Sequence, residues 1–443
     1  MEQRRNRWIE MAMWLGIWVL VIGALALLLS VPGWVLPLLL LPLAAWLAGT
    51  RTGRQAWSAT QVGISTIPRR LGSSSVVVVG IAGVVGVLVA LLAMAAGFSA
   101  TLRQSGSDDT AIVLRAGAQT ELNSVLSHDT AVLVSQQPQV QQTASGQPIA
   151  SSELVVVAAL PKRSTGLDAN VELRGVGERA WDLRPRLRMV AGRRFTAGLR
   201  ELIVGKRAQD EFAGVSVGSA LKLNGQLWQV VGEFEGGDAS DSDVWGDVDV
   251  VGPTYRRGGS STSVIVKLTT ASAFPAFKAA LATDPRLKVD VKTTRDYFSE
   301  QSMQLTKLIT VLGTAIGLIM AIGAVFGALN SMYAAVASRT REIATLRAVG
   351  FRATPVVVSV MLETMLLALL GGVLGAAIAW LLFDNYTAST LGANFTQIVF
   401  AFRVTPELLW RGIKWALAMG MIGGLFPALR AARMSVTAGL REL

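Results

Sequence analysis

Long apolar runs dominate the chain. Residues 8–29, 74–97, 305–335 and 355–383 each exceed the roughly 20 residues that a membrane-crossing helix needs. Residues 414–429 read as a further span. Residues 31–48 are shorter and carry Pro32, Pro37 and Pro42, which fits a kinked span or one arm of a re-entrant hairpin. Between these runs the periodicity changes. Over 55–68, Trp57, Ile64 and Ile67 recur at helical spacing between bracketing arginines, the pattern of a helix lying on a membrane surface. Over 338–350 (SRTREIATLRAVG), Ile343, Leu346 and Val349 recur at helical spacing, with Arg339, Arg341, Glu342 and Arg347 polar. Such a helix is too charged and too short to span.

The long stretch 101–303 reads as mixed α/β. Residues 150–160, 220–223, 228–234 and 263–268 are rich in β-branched residues, with turn signals at Asn224-Gly225 and Gly236-Gly237. Residues 273–282 have the pattern of an amphipathic helix. The stretch is long enough for its own core, arranged as two subdomains. The expected fold is an α-helical membrane protein with about six transmembrane helices and a large mixed α/β extracytoplasmic domain. Its expected divisions are a hydrophobic hairpin (1–50), a surface helix (51–73), a span (74–100), the outer domain (101–303) and a three-span region (304–443) containing the charged helix at 338–352.

Composition agrees: 51% of the 443 residues are hydrophobic and only 16% charged. The net charge of +11 is unevenly placed. Residues 101–303 hold 23 basic and 23 acidic groups, so the whole excess flanks the spans. Arg4, Arg5 and Arg7, then Arg51, Arg54, Arg69 and Arg70, then Arg339, Arg341, Arg347 and Arg352, and finally Arg430, Arg433 and Arg441 all fall on one side if there are six spans. That side is the cytoplasm, with both termini in it. A basic excess of this kind is an ordinary topology signal and does not call for nucleic acid.

Catalytic chemistry finds little material. The chain has no cysteine and one histidine, His128, which reads as surface. Gly205-Lys206-Arg207 lacks the upstream glycine and the hydroxyl of a phosphate-binding loop. The acidic run Asp238, Asp241, Asp243, Asp247 and Asp249 lacks the glycine and glutamate spacing of a calcium loop and reads as solvated. The arginines 184, 186, 188, 193 and 194 read as ordinary surface. No catalytic residue and no metal site are expected.

What stands out instead is mechanical. Gly313/Gly317, Gly323/Gly327 and Gly371/Gly375 have the four-residue spacing that lets helices approach closely, within one chain or between two. Glu363 lies two turns inside a span, where an ionisable group is costly. It is either a latch to an arginine on the cytoplasmic side or a carboxylate reaching the interface. Glu407 and Arg411, four apart, read as a surface pair.

SRTREIATLRAVGF followed by MLETMLLALLGGVLGAAIAW resembles the cytoplasmic helix and following span of the MacB/FtsX-type ABC transporter permeases. GLFPALRAARMSVTAGLREL resembles the end of that family's last span and its tail, and LIVGKRAQDEFAGVSVGSALKLNGQLWQVVGEF resembles the MacB-like core domain. The resemblance implies a type VII ABC transporter architecture with four core spans. It also implies a homodimer, or a pseudo-dimer with a related permease. It implies a separate ATPase chain that holds ATP and Mg, since this chain binds no cofactor itself. Arg339, Arg341, Glu342, Ile343, Leu346, Arg347 and Gly350 would then be ATPase-coupling residues. A bacterial inner-membrane home, a periplasmic adaptor and an outer-membrane channel are further expectations of the family. The expected role is export or extraction of a lipoprotein, peptide, drug or lipid. The alternative is FtsX-like signalling to a cell-wall hydrolase. The chain departs from the pattern by its added pair of N-terminal hydrophobic segments and by having no fused ATPase.

Overall fold

The computed structural model describes residues 23–32 and 35–434, which divide into two compact units. The helical unit comprises residues up to 94 together with 309–385 and 403 onward; the sheet unit comprises 95–308 and 386–402.

Seven helices concern the helical unit: α1 (Leu36–Gly49), α2 (Arg51–Ser65), α3 (Leu71–Gln104), α4 (Thr294–Ala337), α5 (Thr340–Ala348), α6 (Ala353–Phe383) and α7 (Pro406–Arg433). The division between the units falls within α3 and α4. Among the described residues four helices are long and apolar enough to cross a membrane: α3 from Ser74, α4, α6 and α7. The expectation of about six counts two more, at 8–29 and 31–48. Helix α1 has only 14 residues, a rise of about 21 Å at 1.5 Å per residue, against a hydrocarbon layer of about 30 Å. The span expected at 8–29 lies mostly outside the described residues, and only its end, 23–30, is described as helical.

Small residues set how these helices pack. Along α7, Gly412, Ala416, Gly420 and Gly424 recur every fourth residue; along α6, so do Thr364, Ala368 and Gly372. The two rows interlock. A Cβ on Gly420 would lie 2.4 Å from that of Ala368, one on Gly372 2.6 Å from that of Ala416, and one on Gly424 2.7 Å from the Thr364 hydroxyl. An adjoining face of α6 meets α3, where a Cβ on Gly371 or Gly375 would strike the Val78 or Ala82 carbonyl at 2.8 or 2.4 Å. Gly313 and Gly317 face Leu91 and Leu88 of α3, so that spacing serves packing within the chain. Gly323 and Gly327 have open space around them. They share α4 with exposed Leu312, Ile316, Ile319, Ile322 and Phe326.

The sheet unit holds β1 (Thr110–Arg115), β2 (Leu126–Ser127), β3 (Ala150–Pro161), β4 (Asp168–Val176), β5 (Arg188–Gly192), β6 (Glu201–Gly205), β7 (Ala220–Leu223), β8 (Gln226–Glu235), β9 (Val244–Asp247), β10 (Ser260–Ser261), β11 (Ser263–Lys267), β12 (Val289–Thr293), β13 (Thr387–Leu391) and β14 (Gln397–Ala401). A ten-stranded mixed sheet runs β12-β1-β11-β3-β4-β9-β6-β8-β5, with β7 also on β8. The long strand β3 belongs to both halves. Its residues 150–153 pair with β11 and its residues 154–161 with β4. Each half has its own core, Val113, Val134, Val266 and Phe277 in one, Leu173, Leu202, Phe212 and Trp228 in the other. Strands β7 and β8 turn on Asn224 and Gly225, whose φ of 45° and 79° is what a two-residue turn of matching twist requires.

Sequence reading gives no element for 387–401, yet these residues form the β13–β14 hairpin and belong to the sheet unit. The Phe400 ring is fully buried and meets Phe98 edge-on at 5.4 Å. Arg207 donates to the Val399 carbonyl at 2.9 Å, and Val399 N–H donates to the Ser242 hydroxyl at 2.9 Å.

Candidate functional site

The charged helix at 338–350 is where the sequence concentrates its polar chemistry, and the structure ties it down at both ends. Helix α5 lies in the chain between α4 and α6. Gly350, with φ 106°, ends α5. Its N–H donates to Arg347 O at 3.1 Å and that of Phe351 to Leu346 O at 3.1 Å, the paired bonds of a glycine-terminated helix. Gly350 is therefore explained by helix termination. Ile343 and Ala344 are buried and Leu346 half-buried, whereas Val349 is 77% exposed, so the expected three-residue apolar face is split between core and surface. Arg341, Glu342, Thr345 and Ala348 are also exposed.

At the start of α5, Arg339 Nη1 donates to Glu363 Oε2 at 3.0 Å, and Arg70 Nη2 donates to Glu363 Oε1 at 2.5 Å. Glu363 is 2% exposed. Arg339 Nε also reaches exposed Glu342 at 3.0 Å. One buried carboxylate thus joins three segments: α6, the start of α5 and the turn after α2. Burying an unpaired carboxylate this deep would be prohibitive, and two guanidinium partners are what make it tolerable. Of the two readings of Glu363, the geometry supplies the arginine partners of the latch. Helix α2 packs through Gly53, Ala56, Ala59, Thr60 and Gly63, with Trp57 exposed. Gly63 is a site residue that sequence reading missed: a Cβ there would lie 2.8 Å from Glu363 Oε2 and 3.3 Å from Arg339 Nη1.

Near the end of α5, Arg347 Nη1 donates to the Ala432 carbonyl at 3.1 Å and also to that of Met434. A cation there meets the negative end of the α7 dipole. Helix α5 is consequently tied to α6 through Arg339 and to α7 through Arg347.

The sheet unit holds a second buried charge group. Arg174 on β4 donates to Glu121, Glu153 and Glu172, and its Nε lies 3.6 Å from Asp243. Arg184 grips both oxygens of Glu153, at 2.7 and 2.8 Å. Burial raises the Glu153 carboxyl, but Arg184 and Arg174 outweigh it and hold it below the ordinary value. Burial, with Glu172 beside it, pushes Asp243 well above the ordinary value. The hairpin closes over the group, Asn394 Nδ2 donating to Glu172 at 3.0 Å.

Two surface expectations are corrected here. Arg184 is part of this group rather than ordinary surface. The aspartate run is only partly solvated: Asp238, Asp241 and Asp247 are buried, and Asp249 is exposed. Asp241 accepts from Gly236 and Gly237 N–H at 2.6 and 3.0 Å, and Asp247 from Gly198 N–H at 2.6 Å. These carboxylates satisfy backbone donors of tight loops, and among the described residues none of them joins a three-ligand metal cluster. The Glu407–Arg411 pair is at 2.8 Å and exposed.

Comparison with known proteins places these regions. Residues 74–284 match the MacB-like periplasmic core domain, and residues 314–436 match the FtsX-like permease C-terminal domain. The macrolide export ATP-binding/permease protein MacB of Rhodopseudomonas palustris (strain HaA2) is 24% identical over 63% of this chain and 44% of its own length. MacB 2 of Yersinia pestis bv. Antiqua (strain Antiqua) is 33% identical over 32% of this chain and 21% of its own. The chain thus spans less than half the length of these relatives. The crystal structure of the periplasmic region of MacB from Actinobacillus actinomycetemcomitans aligns at 15% identity with a TM-score of 0.34, covering 44% of this chain and 92% of that one. With one family domain accounting for α3 and most of the sheet unit and the other for most of α4 through α7, the chain belongs to the MacB/FtsX type of membrane permease.

Proposed function

We propose that this chain is the permease subunit of an ABC transporter, driven by a separate ATPase chain. In this reading α5 is the cytoplasmic handle on which the ATPase acts, and the periplasmic domain is the working end. The observation that carries it is the double tie of α5, through Arg339 to Glu363 on α6 and through Arg347 to the end of α7. A push on a helix held only by flexible loops would dissipate. A push on α5 is delivered to two membrane helices whose small-residue seams leave little room to yield. The exposed residues Arg341, Glu342, Thr345 and Val349 form the docking surface, and buried Ile343 and Ala344 fix the handle to its own subunit.

The reading extends to a dimer of permeases, each with one ATPase, and to work on a lipoprotein, peptide, drug or lipid at the periplasmic face. It places both termini in the cytoplasm. The test starts from the intact protein in mild detergent, with mass spectrometry of what co-purifies. Recovery of an ATPase chain supports the reading, and a stable permease without one overturns it. With that ATPase in hand, Val349→Asp is expected to abolish stimulation of ATP hydrolysis by disrupting docking. Leu346→Asp is expected to do so by unseating the handle, because it places a charge in a half-buried apolar contact. Both variants should insert normally. Normal stimulation in both would remove α5 from the coupling role.

A further inference from the structure

Lys414 lies two turns into α7 and is 9% exposed. Among the described residues no carboxylate pairs with it. Its ammonium donates instead to the carbonyls of Leu29 and Val31, at 3.1 and 3.0 Å, where the helical stretch 23–30 ends. A cation suits that place, since the end of a helix carries partial negative charge. Two carbonyls use two of the three N–H donors and leave the full positive charge without a counter-ion among the described residues, inside a segment long and apolar enough to span.

Beside it is a cavity of about 740 Å³, lined by Leu29, Val31, Trp410, Arg411, Lys414 and Trp415 among others. That volume lies in the range of small-molecule sites. The charged groups lining it are Glu407, Arg411 and Lys414, a net of one positive charge. Arg411 is half-exposed and pairs with Glu407, so among the described residues Lys414 is the uncompensated group. Tryptophans gather where a membrane's apolar interior meets its headgroups, and Trp410 and Trp415 flank the lysine in sequence. A buried cation, an aromatic rim and an open apolar volume match an anion attached to hydrocarbon.

We propose that this cavity binds an anionic phospholipid, its phosphate on Lys414 and its acyl chain along the apolar wall between residues 29–32 and α7. Residues 29–32 lie outside both family matches, whereas Trp410, Arg411, Lys414 and Trp415 lie within the second.

The test uses the full-length protein in mild detergent, with thermal unfolding followed while phosphatidylglycerol, phosphatidylcholine or inorganic phosphate is titrated in. Phosphatidylglycerol is expected to raise the midpoint of the wild-type protein, and the other two to leave it unmoved. Lys414→Met keeps the stem and removes the charge. It should weaken the phosphatidylglycerol response about tenfold or more, the size of a lost charge-assisted hydrogen bond, and Lys414→Arg should restore it. Native mass spectrometry of the wild-type protein alone gives an arm that needs no variant, with phosphatidylglycerol expected to be retained over phosphatidylcholine. Equal effects of the two lipids on the wild-type protein would overturn the proposal, as would an unchanged response in Lys414→Met. A response to inorganic phosphate matching that to the lipid would make the site one for a free anion and overturn the lipid assignment.

Discussion

The two buried charge groups of this protein are built in opposite ways. In the helical unit one carboxylate, Glu363, sits between two arginines. In the periplasmic domain one arginine, Arg174, sits among four carboxylates, with a second, Arg184, on Glu153. The difference lies in what each group can do when a partner leaves. Arg70 and Arg339 are 15% and 14% exposed at their side chains, so both touch water and can turn toward it. Glu121 and Glu153 are 2% and 0% exposed and have nowhere to turn. The arginines of the first group can hydrate if the contact opens, whereas Glu121 and Glu153 of the second cannot.

That contrast predicts its own hierarchy of breakage. Arg174→Met should be the most damaging change, because it strands Glu121, Glu172 and Asp243 without a cation. Breaking a buried pair from one side costs about 3–5 kcal/mol. The expected outcome is early unfolding of the periplasmic domain, read by limited proteolysis and thermal denaturation. Adding Glu121→Gln and Glu172→Gln to Arg174→Met should recover part of the loss. A single variant as stable as wild type would mean that the carboxylates discharge by taking up protons, and the holding role would then belong to apolar packing.

Glu363→Gln should cost less, about 1–3 kcal/mol, since the two arginines it leaves behind can hydrate. Its main consequence should be functional: stimulation of the proposed ATPase partner should fall sharply while yield and membrane insertion persist. Gly63→Ala attacks the same contact by volume, its methyl displacing the Glu363 carboxylate for about 1–3 kcal/mol of overpacking. The double variant should be no worse than the more severe single, because both remove one interaction. Additive losses would show that Gly63 matters for α2 packing alone.

How far the sequence foretold these groups follows from the same physics. A lone acid in an apolar run is conspicuous, so Glu363 was legible. Helix α5 was legible because charge between two spans has few places to go. Arg70 was not, being 293 residues from Glu363 in the chain. The Arg174 group was hidden by alternation. Glu172 and Arg174 stand two apart on β4, where alternating polar residues ordinarily face water. Here that face is covered by the 310 turn at Glu121, by the Asp238–Asp243 segment and by the hairpin, and no local signal announces a cover brought from so far along the chain. The α6–α7 seam was legible in principle, since Gly412, Ala416, Gly420 and Gly424 repeat every four residues. Residues 31–48, read as a kinked span or a re-entrant arm, contribute to a 14-residue helix at Leu36–Gly49.

Titration should separate the members of the periplasmic group. Asp243 has a raised folded-state value, so it contributes stability below the ordinary aspartate range and loses it as pH rises through the folded value. Glu153 has a lowered one, so its contribution is present above the ordinary glutamate range and is lost as pH falls below it. Asp243→Asn should therefore stabilise the domain at neutral pH, on the order of 1 kcal/mol, with the advantage shrinking as acid protonates the wild-type carboxyl. Midpoints of thermal unfolding across pH 4–8 would measure this. A parallel offset at every pH would show that Asp243 does not titrate in that range.

The smallest effect is expected where the charges are most visible. Glu407 and Arg411 make a 2.8 Å contact, as close as those of the buried groups, yet their side chains are 74% and 50% exposed. Water and salt screen such a pair, and holding two long side chains together offsets much of the attraction, so Glu407→Gln should change stability by less than about 0.5 kcal/mol. Its use is diagnostic, because Arg411 then lines the lipid cavity without its carboxylate and the net positive charge there rises by one. If the cavity takes an anionic lipid, this variant should bind phosphatidylglycerol more tightly while its unfolding midpoint without lipid stays put. A falling midpoint without lipid would mean that the exposed pair anchors the start of α7, and the contrast between exposed and buried pairs would lose its simplest case.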